Sequence, residues 1–165
     1  MRLTTCVDIK SDEKVWEKMK LRMQRESKEV DVGWWGSQHP SGESVATVAM
    51  LNEEGHWNGP GAAVPNAYTP PRPFFSVDFR KHVNKVLPEY AKEYEGVISG
   101  KITQTAFFAK MRTKLSDALK EIIIDFDSPP NSSTTVSLKK FNDPLIETGT
   151  MRDTIKTRVV SSGRK

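Results

Sequence analysis

The sequence predicts an α+β fold in which a small antiparallel sheet packs against a long helical hairpin, with extended loops. Two stripes of apolar residues recur at three- and four-residue spacing between 75 and 126, which is the period of an amphipathic helix. Two shorter runs, 29–35 and 154–160, alternate apolar and polar side chains, which is the period of a half-buried strand. At this length we expect 1–160 to form a single domain, followed by a flexible basic tail at 161–165.

The composition is that of a folded chain without signals for export or membrane insertion. Apolar residues make up 36% of the chain, which is too many for a fully disordered protein. The sequence shows neither an export leader nor an apolar run of membrane-spanning length, so we expect a cytoplasmic chain with no membrane partner. The single Cys6 excludes an internal disulfide. The net charge of +4 is spread in mixed sign along the sequence, which permits a nucleic-acid partner but does not indicate one.

The first half of the chain is predicted to contain two strands and two helices. Residues 2–7 are rich in β-formers and predict a short first strand. Residues 11–26 carry a capping serine, acidic residues at the start and basic residues at the end, which predicts a helix. The alternating run at 29–35 predicts the next strand. A short helix is expected at 44–54, with Gly55 as its stop signal.

A long loop is predicted at 55–72. Residues 55–71 hold three glycines and four prolines and carry no charged side chain, a composition that favours neither a helix nor a strand ladder. The loop leads into Pro-Pro-Arg-Pro-Phe-Phe at 70–75, where consecutive prolines hold the backbone extended, Arg72 offers a multi-donor fork and Phe74 an apolar anchor. Two interpretations remain open. The motif is a rigid entry into the next helix, or it is a preorganised contact with a neighbouring subunit.

The second half of the chain is predicted to hold the helical hairpin, two short elements and the last strand. The apolar stripes break at 99–100, so we expect two antiparallel helices that supply most of the core. Residues 132–140 follow a Pro-Pro breaker and predict a short helix or turn. Thr148 or Thr150 can cap a further short helix before the strand at 154–160.

No pattern of residues in the sequence indicates catalysis, a cofactor or a metal ion. Cys6 has no motif around it, so we interpret it as a small buried hydrophobe. The histidines lie in three unlike contexts, at His39, His56 and His82. Asp125 and Asp127 can in principle hold a cation or act as paired acids, but carboxylates before Pro-Pro are typical of an exposed turn. We therefore expect no enzymatic activity, no cofactor and no metal site.

The sequence Gly-Trp-Trp-Gly at 33–36 has two interpretations. Exposed aromatic residues can stack on nucleic-acid bases when a basic groove follows the backbone. No lysine or arginine lies between Lys28 and Arg72, so that groove must come from elsewhere. A strand with one tryptophan facing the core and the other facing a neighbour explains the pair as well, and we favour packing. A small nucleic-acid-binding accessory protein remains the alternative hypothesis.

Three stretches, in this order, carry a resemblance to a known family. They are Val-Gly-Trp-Trp (32–35), Val-Ala-Met-Leu-Asn-Glu-Glu-Gly (48–55) with Pro-Pro-Arg-Pro-Phe-Phe (70–75), and Asp-Pro-Leu-Ile-Glu-Thr-Gly-Thr-Met-Arg-Asp-Thr-Ile (143–155). The chain resembles the neck and tail-completion proteins of tailed bacteriophages in the order and spacing of these stretches, over about residues 29–160. It departs from the family's pattern in the longer segment that precedes Arg72.

The resemblance implies a structural protein of the virion neck, between head and tail, made in the host cytoplasm. Proteins of this family resemble small α+β units, and several copies assemble into a sixfold or twelvefold ring around the DNA channel. The implied partners are copies of the chain itself and other connector, tail-terminator or tail-tube proteins, while packaged DNA passes without sequence-specific binding. The residues that we expect at subunit interfaces are Trp57, Tyr68, Pro71, Arg72, Pro73, Phe74, Leu145, Thr148, Gly149 and Met151.

Overall fold

The computed structural model of the chain describes Glu17, residues 28–62 and residues 64–161. Its elements are β1 (Lys28–Gly33), α1 (Val45–Glu54), β2 (His56–Trp57), β3 (Tyr68–Thr69), a π-helical turn (Phe74–Phe79), α2 (Arg80–Ile98), α3 (Gln104–Asp125), α4 (Ser133–Lys139), α5 (Thr150–Asp153) and β4 (Lys156–Ser161). The fold is mixed α+β, as the sequence predicted. The strand predicted at 2–7 and the helix predicted at 11–26 lie outside the described residues, apart from Glu17, which is helical.

The main sheet consists of β1 and β4, which are far apart in sequence and pair antiparallel. Val30 lies directly opposite Val159, and both side chains pack against the core. Helix α3 is fastened to the sheet by Arg112, whose Nη2 donates to the carbonyl oxygen of Thr157 at 2.7 Å. The two alternating runs therefore form strands as predicted, although β1 ends at Gly33, before the two tryptophans.

Helices α2 and α3 form the predicted antiparallel hairpin. The rings of Tyr94 and Phe107 lie 5.2 Å apart near the turn, and further along Glu89 pairs with Lys114. As the residue number falls along α2, the partner's number rises along α3, which defines the antiparallel arrangement. In the described ranges no helix combines the length and the apolar character that a bilayer span requires.

The core lies between the helical hairpin, α1 and the segment that leads into α5. Its buried apolar residues are Val45, Ala49, Phe74, Phe79, Tyr90, Val97, Phe107, Phe108, Leu115, Ala118, Leu119, Ile123, Phe126, Leu145 and Met151. The two apolar stripes supply most of this list, as expected. Arg72 is the one charged side chain of the described residues that is buried with them, at 5% exposure.

The long loop contains a short β-hairpin that its composition did not predict. Strand β2 pairs antiparallel with β3, with Trp57 opposite Tyr68. One more hydrogen bond extends this pairing towards the tip of the hairpin: the backbone N–H of Asn58 donates to the carbonyl oxygen of Ala67 at 2.8 Å. The expectation that 55–71 forms no ladder was therefore wrong at both ends of the segment. Two-residue strands are too short to show an alternating pattern.

The short helices near the end of the chain match the predicted positions, with one correction at a cap. Helix α4 lies within the predicted segment 132–140, and Ser132 caps it by accepting the N–H of Thr135. Helix α5 begins after Gly149, which has φ of +76° and occupies the cap position expected for a threonine. Thr148 still contributes, since its Oγ1 accepts the N–H of Thr150 at 3.3 Å.

Candidate interface: the Arg72 node and the aromatic hairpin

The side chain of Arg72 joins three distant parts of the chain. Its Nη1 donates to the carbonyl oxygen of Pro144 at 2.8 Å and to Oδ1 of Asn52 at 3.4 Å. Its Nη2 donates to Oδ1 of Asn131 at 3.0 Å. We call Arg72 and these three partners the Arg72 node. It links α1, the segment before α4 and the segment before α5 to the entry of the helical hairpin.

The backbone around Arg72 is held in place by close packing and by the prolines on both sides. The N–H of Arg72 donates to the carbonyl oxygen of Asn52 at 2.8 Å, so both main chain and side chain bind the end of α1. Gly55 has φ of +75°, and a Cβ atom there would lie 2.7 Å from the backbone nitrogen of Pro71. Only glycine allows this close approach. Pro71 and Pro73 restrict φ and hold the arginine at the node.

The Arg72 node compensates a buried positive charge with neutral oxygens. Among the described residues, no carboxylate forms an ion pair with Arg72. Burial lowers the pKa of Arg72 below its usual value, and no acidic group opposes that effect. The guanidinium still carries its proton because its ordinary pKa is far above neutrality. The node therefore holds a cation whose charge is neutralised by no acidic group of the described chain.

The two tryptophans of 32–35 both have partners within their own chain. Trp34 donates from Nε1 to the carbonyl oxygen of Met151 at 2.6 Å, and its ring lies 6.1 Å from that of Phe74. The guanidinium of Arg158 lies 4.9 Å from the centre of the Trp35 ring. This arrangement favours the packing interpretation, since each of the two rings has a partner in its own chain.

Glu53 is a structural residue of this region that the sequence analysis did not single out. Its two carboxylate oxygens accept the backbone N–H groups of Phe75 and Ser76, at 3.0 and 2.9 Å. These donors are free at the start of a helix, where a negative charge is also favourable. Through Glu53, helix α1 thus caps the π-helical turn that begins the helical hairpin. The sequence pattern does not indicate this contact of Glu53, because its partners lie more than twenty residues away along the chain.

The hairpin formed by β2 and β3, residues 56–69, exposes an aromatic pair. Trp57 is 72% exposed and Tyr68 is 51% exposed, and their rings lie 5.3 Å apart. We call this element the aromatic hairpin. It carries no lysine, arginine, aspartate or glutamate. Exposed tryptophan and tyrosine on an uncharged surface are typical of the centres of protein interfaces.

The ten residues expected at interfaces divide into an exposed and a buried group. Trp57, Tyr68, Pro71 and Thr148 are exposed, and Pro73 is half-buried. Arg72, Phe74, Leu145, Gly149 and Met151 are buried in their own chain. Gly55 and Pro71 connect the two groups by backbone packing. The five buried residues therefore pack inside their own chain, and their role at a subunit interface stays a prediction.

Two of the three histidines, His39 and His56, make local polar contacts. Nδ1 of His39 lies 2.9 Å from Oγ of Ser41, and Nδ1 of His56 lies 3.1 Å from the carbonyl oxygen of Leu51. Within 28–62 and 64–161, no three His, Cys, Asp or Glu side chains are grouped so that they could hold a metal ion. Cys6 lies outside the described residues.

Comparison of the chain with protein-family models, with curated proteins and with solved structures found no significant match. The functional interpretation therefore rests on the sequence stretches and the contacts that join them. The Arg72 node and the Trp34 hydrogen bond are the contacts that matter most for it.

Proposed function

We propose that this chain is a structural protein of a tailed-phage virion that forms part of the neck, as a ring of identical copies around the DNA channel. One observation carries the proposal: the three stretches that resemble the neck and tail-completion family contact one another. Arg72 binds residues of both 48–55 and 143–155, and Trp34 binds Met151 of the latter. Because these motifs are separate in sequence but contact one another in the fold, they support the proposal that the chain shares the architecture of that family.

The exposed surface is suited to assembly. Closure of a ring requires a heterologous interface, in which one surface of each copy meets a different surface of the next. The aromatic hairpin supplies a projecting apolar surface, and the Arg72 node holds its base through Gly55 and Pro71. We propose that Trp57 and Tyr68 contact the neighbouring subunit or the adjoining ring of connector, tail-terminator or tail-tube protein.

The proposal is tested by removing the gene from the phage genome that encodes it. We expect lysates of the deletion phage to contain DNA-filled heads and separate tails, because the joining ring is missing. Purified protein added to such a lysate should restore joined particles and infectivity. Electron microscopy and plaque counts measure both effects. A normal yield of infectious particles from the deletion phage contradicts the proposed function.

The role of the aromatic hairpin is tested with matched surface variants in the same complementation assay. Trp57→Ser removes an exposed ring that makes few contacts in its own chain, so the fold should persist while joining falls at least tenfold. Met50→Ser is the control, because Met50 is 51% exposed on α1 and lies outside the hairpin. If both variants restore joining equally, the hairpin is not a contact surface. Circular dichroism confirms that both variants are folded.

A further inference from the structure

The two faces of the aromatic hairpin have different surroundings. His56 pairs with Thr69, and Trp57 pairs with Tyr68. Successive side chains of a strand point to opposite faces, so the two pairs lie on opposite faces of the hairpin. His56 and Thr69 line a cleft of about 480 Å³, whereas Trp57 and Tyr68 lie outside it and are more than half exposed. The hairpin therefore has a cleft on one side and a projecting aromatic pair on the other.

The walls of this cleft are largely apolar. Its apolar lining includes Val48 and Leu51 of α1, Val64 of the aromatic hairpin, Leu138 of α4 and Leu145. Leu138 is a large apolar side chain, yet it is 57% exposed. Pockets of about 300–1,000 Å³ hold whole small molecules, so the cleft has room for one or two aromatic side chains. The described residues thus leave an apolar recess open beside Leu138.

The charged groups of the lining favour an uncharged partner. They are Glu43, Arg72, Lys139 and Glu147. Arg72 and Lys139 each donate to a backbone carbonyl oxygen of their own chain, at 2.8 and 2.7 Å. Glu43 and Glu147 are exposed, so water solvates their carboxylates. A partner that buried a charge in this cleft would need an opposite charge to compensate it, and the lining presents both signs already engaged or solvated.

We propose that the cleft receives the aromatic pair, Trp57 and Tyr68, of a second copy of this chain. The aromatic hairpin carries no lysine, arginine, aspartate or glutamate, which matches the uncharged partner that the cleft favours. Exposed aromatic side chains are also the residues that most often fill apolar recesses at the centre of an interface. The inference rests on the proposed ring of identical copies, and it names the surface that receives the aromatic hairpin.

The positions of the cleft and the aromatic pair determine how copies are joined. Because the two lie on opposite faces of one hairpin, each copy contacts one neighbour with its aromatic pair and another neighbour with its cleft. This is a head-to-tail contact, the heterologous arrangement that closes a ring. A reciprocal contact between two identical surfaces would instead stop at a dimer.

The contact is expected to be weak between two isolated copies. An aromatic side chain buries about 150–250 Å². Two of them bury less than the roughly 800 Å² that each partner contributes to a stable complex. We therefore expect a monomer in dilute solution, and dimers, trimers and larger oligomers as the protein concentration approaches about 1 mM.

Photo-cross-linking from position 68 tests which surface the aromatic pair contacts. The amino acid p-benzoylphenylalanine in place of Tyr68 keeps an aromatic ring and reacts with C–H bonds close to it. The sample is an equal mixture of isotopically labelled and unlabelled protein at about 1 mM, so that mass spectrometry recognises products between two chains. We expect interchain products at cleft residues such as Leu51 and Leu138. The absence of interchain products, or interchain products without any at the cleft, overturns the inference.

Two variants each remove one side of the contact. Trp57→Ser removes the larger ring and keeps the cleft, whereas Leu138→Arg places a charged side chain in the cleft and keeps the aromatic pair. Each variant alone should raise the concentration needed for oligomers about tenfold or more. An equal mixture of the two variants should form dimers and nothing larger, because only one productive contact remains. Sedimentation velocity measures the sizes.

Leu87→Arg is the matched control for the cleft variant. Leu87 is 53% exposed on α2 and does not line the cleft, so this variant should form oligomers as the wild type does. If Leu138→Arg and Leu87→Arg form oligomers equally well, the cleft is not the receiving surface.

The outcome is separable from that of the gene deletion. An infectious deletion phage contradicts the neck function whatever oligomers the purified protein forms. If the deletion phage yields separate heads and tails while the wild-type protein stops at dimers or forms cross-links outside the cleft, the neck function stands and the head-to-tail contact is wrong.

Discussion

The indole Nε1 of Trp34 donates to the carbonyl oxygen of Met151 at 2.6 Å, across 117 positions of sequence. Trp34 follows β1 directly, and Met151 lies in the helix before β4. Since Gly33 is paired with Lys156, the bond closes the end of the sheet at which β1 finishes and β4 begins. A two-stranded sheet is only marginally stable alone, so this bond and the packing of α3 hold it in place.

Replacement of Trp34 tests that bond. Trp34→Phe keeps an aromatic ring against Phe74 but leaves the carbonyl oxygen of buried Met151 without its donor, so we expect a loss of about 1–3 kcal/mol in the free energy of unfolding. Trp35→Phe is the control, because its ring contacts an exposed arginine and should cost less than about 1 kcal/mol. Urea denaturation followed by circular dichroism measures both values. A loss that is equal in the two variants contradicts the role of the hydrogen bond.

The Arg72 node predicts a large effect of removing its guanidinium. Arg72→Met keeps much of the side-chain volume but leaves the oxygens of Asn52, Asn131 and Pro144 unpaired. We expect a loss of about 2–4 kcal/mol, partly offset because a desolvated cation is removed. Arg80→Met, at an exposed position on α2, should change stability by less than about 0.5 kcal/mol. Similar denaturation midpoints for the two variants would show that the node contributes little.

Gly55 is expected to tolerate no side chain. In Gly55→Ala the new Cβ meets the backbone of Pro71 and Thr69 and must also adopt a positive φ, so we expect a loss of about 2–4 kcal/mol. Gly42 also has a positive φ, of +91°, but nothing lies within 4 Å of its Cβ position. Gly42→Ala should therefore cost only the conformational term, about 1–2 kcal/mol. Thermal unfolding of both variants separates close packing from backbone strain.

The ion pair between α2 and α3 predicts a pH dependence of stability. The hydrogen bond from Lys110, at 2.7 Å, holds the pKa of Glu93 below its usual range, and the charge of Lys114 acts in the same direction. A lowered pKa contributes stability above the unfolded value of about 4.3, and this contribution is lost as pH falls through the folded value. The stability difference between wild type and Glu93→Gln should therefore be present at neutral pH. It should disappear at pH values below the folded pKa of Glu93.

Melting temperatures at about pH 7 and about pH 3 measure this difference. Glu95→Gln serves as the control, because Glu95 lies on the same helix and belongs to no ion pair found among the described residues. A Glu93→Gln difference that persists unchanged at the lower pH would mean that the carboxylate does not act through its charge.

Binding to DNA discriminates the connector from a nucleic-acid-binding accessory protein. We expect negligible affinity of the monomer for DNA at about 50 mM salt, because both tryptophans of 32–35 are engaged within the chain. Fluorescence anisotropy with labelled single- and double-stranded DNA measures the affinity. Tight binding that falls steeply between about 50 and 200 mM salt, and that Trp35→Ala weakens, would support the accessory protein instead.

The regular elements were the most predictable part of the fold. Helices α2 and α3 are long enough for the apolar period to repeat several times, and Val30 and Val159 belong to runs of strict alternation. Helix α1 was predicted over 44–54 with Gly55 as its stop, and the structure adds that Ser44 caps its start. In each case the signal is local, so neighbouring residues are sufficient to specify the element.

The contacts that build the site were less predictable because they join residues far apart in sequence. Arg72 is a long charged side chain, and composition alone places such residues at the surface. Its burial depends on Asn131, which lies 59 positions away, and on the carbonyl oxygen of Pro144, 72 positions away. A backbone carbonyl leaves no trace in the residue type. The motif at 70–75 therefore indicated a special position without indicating its partners.

The aromatic hairpin closes at its base before its tip begins. Asn58 exchanges backbone hydrogen bonds with Ala67 and Asn66, and Gly59 and Gly61 have open space around them. Residues inserted into the tip beyond Asn58 therefore do not disturb the packing of the core. Each doubling of the length of a flexible loop costs only about 0.6 kcal/mol. Insertions and deletions during evolution can accumulate at this tip while the Arg72 node stays unchanged.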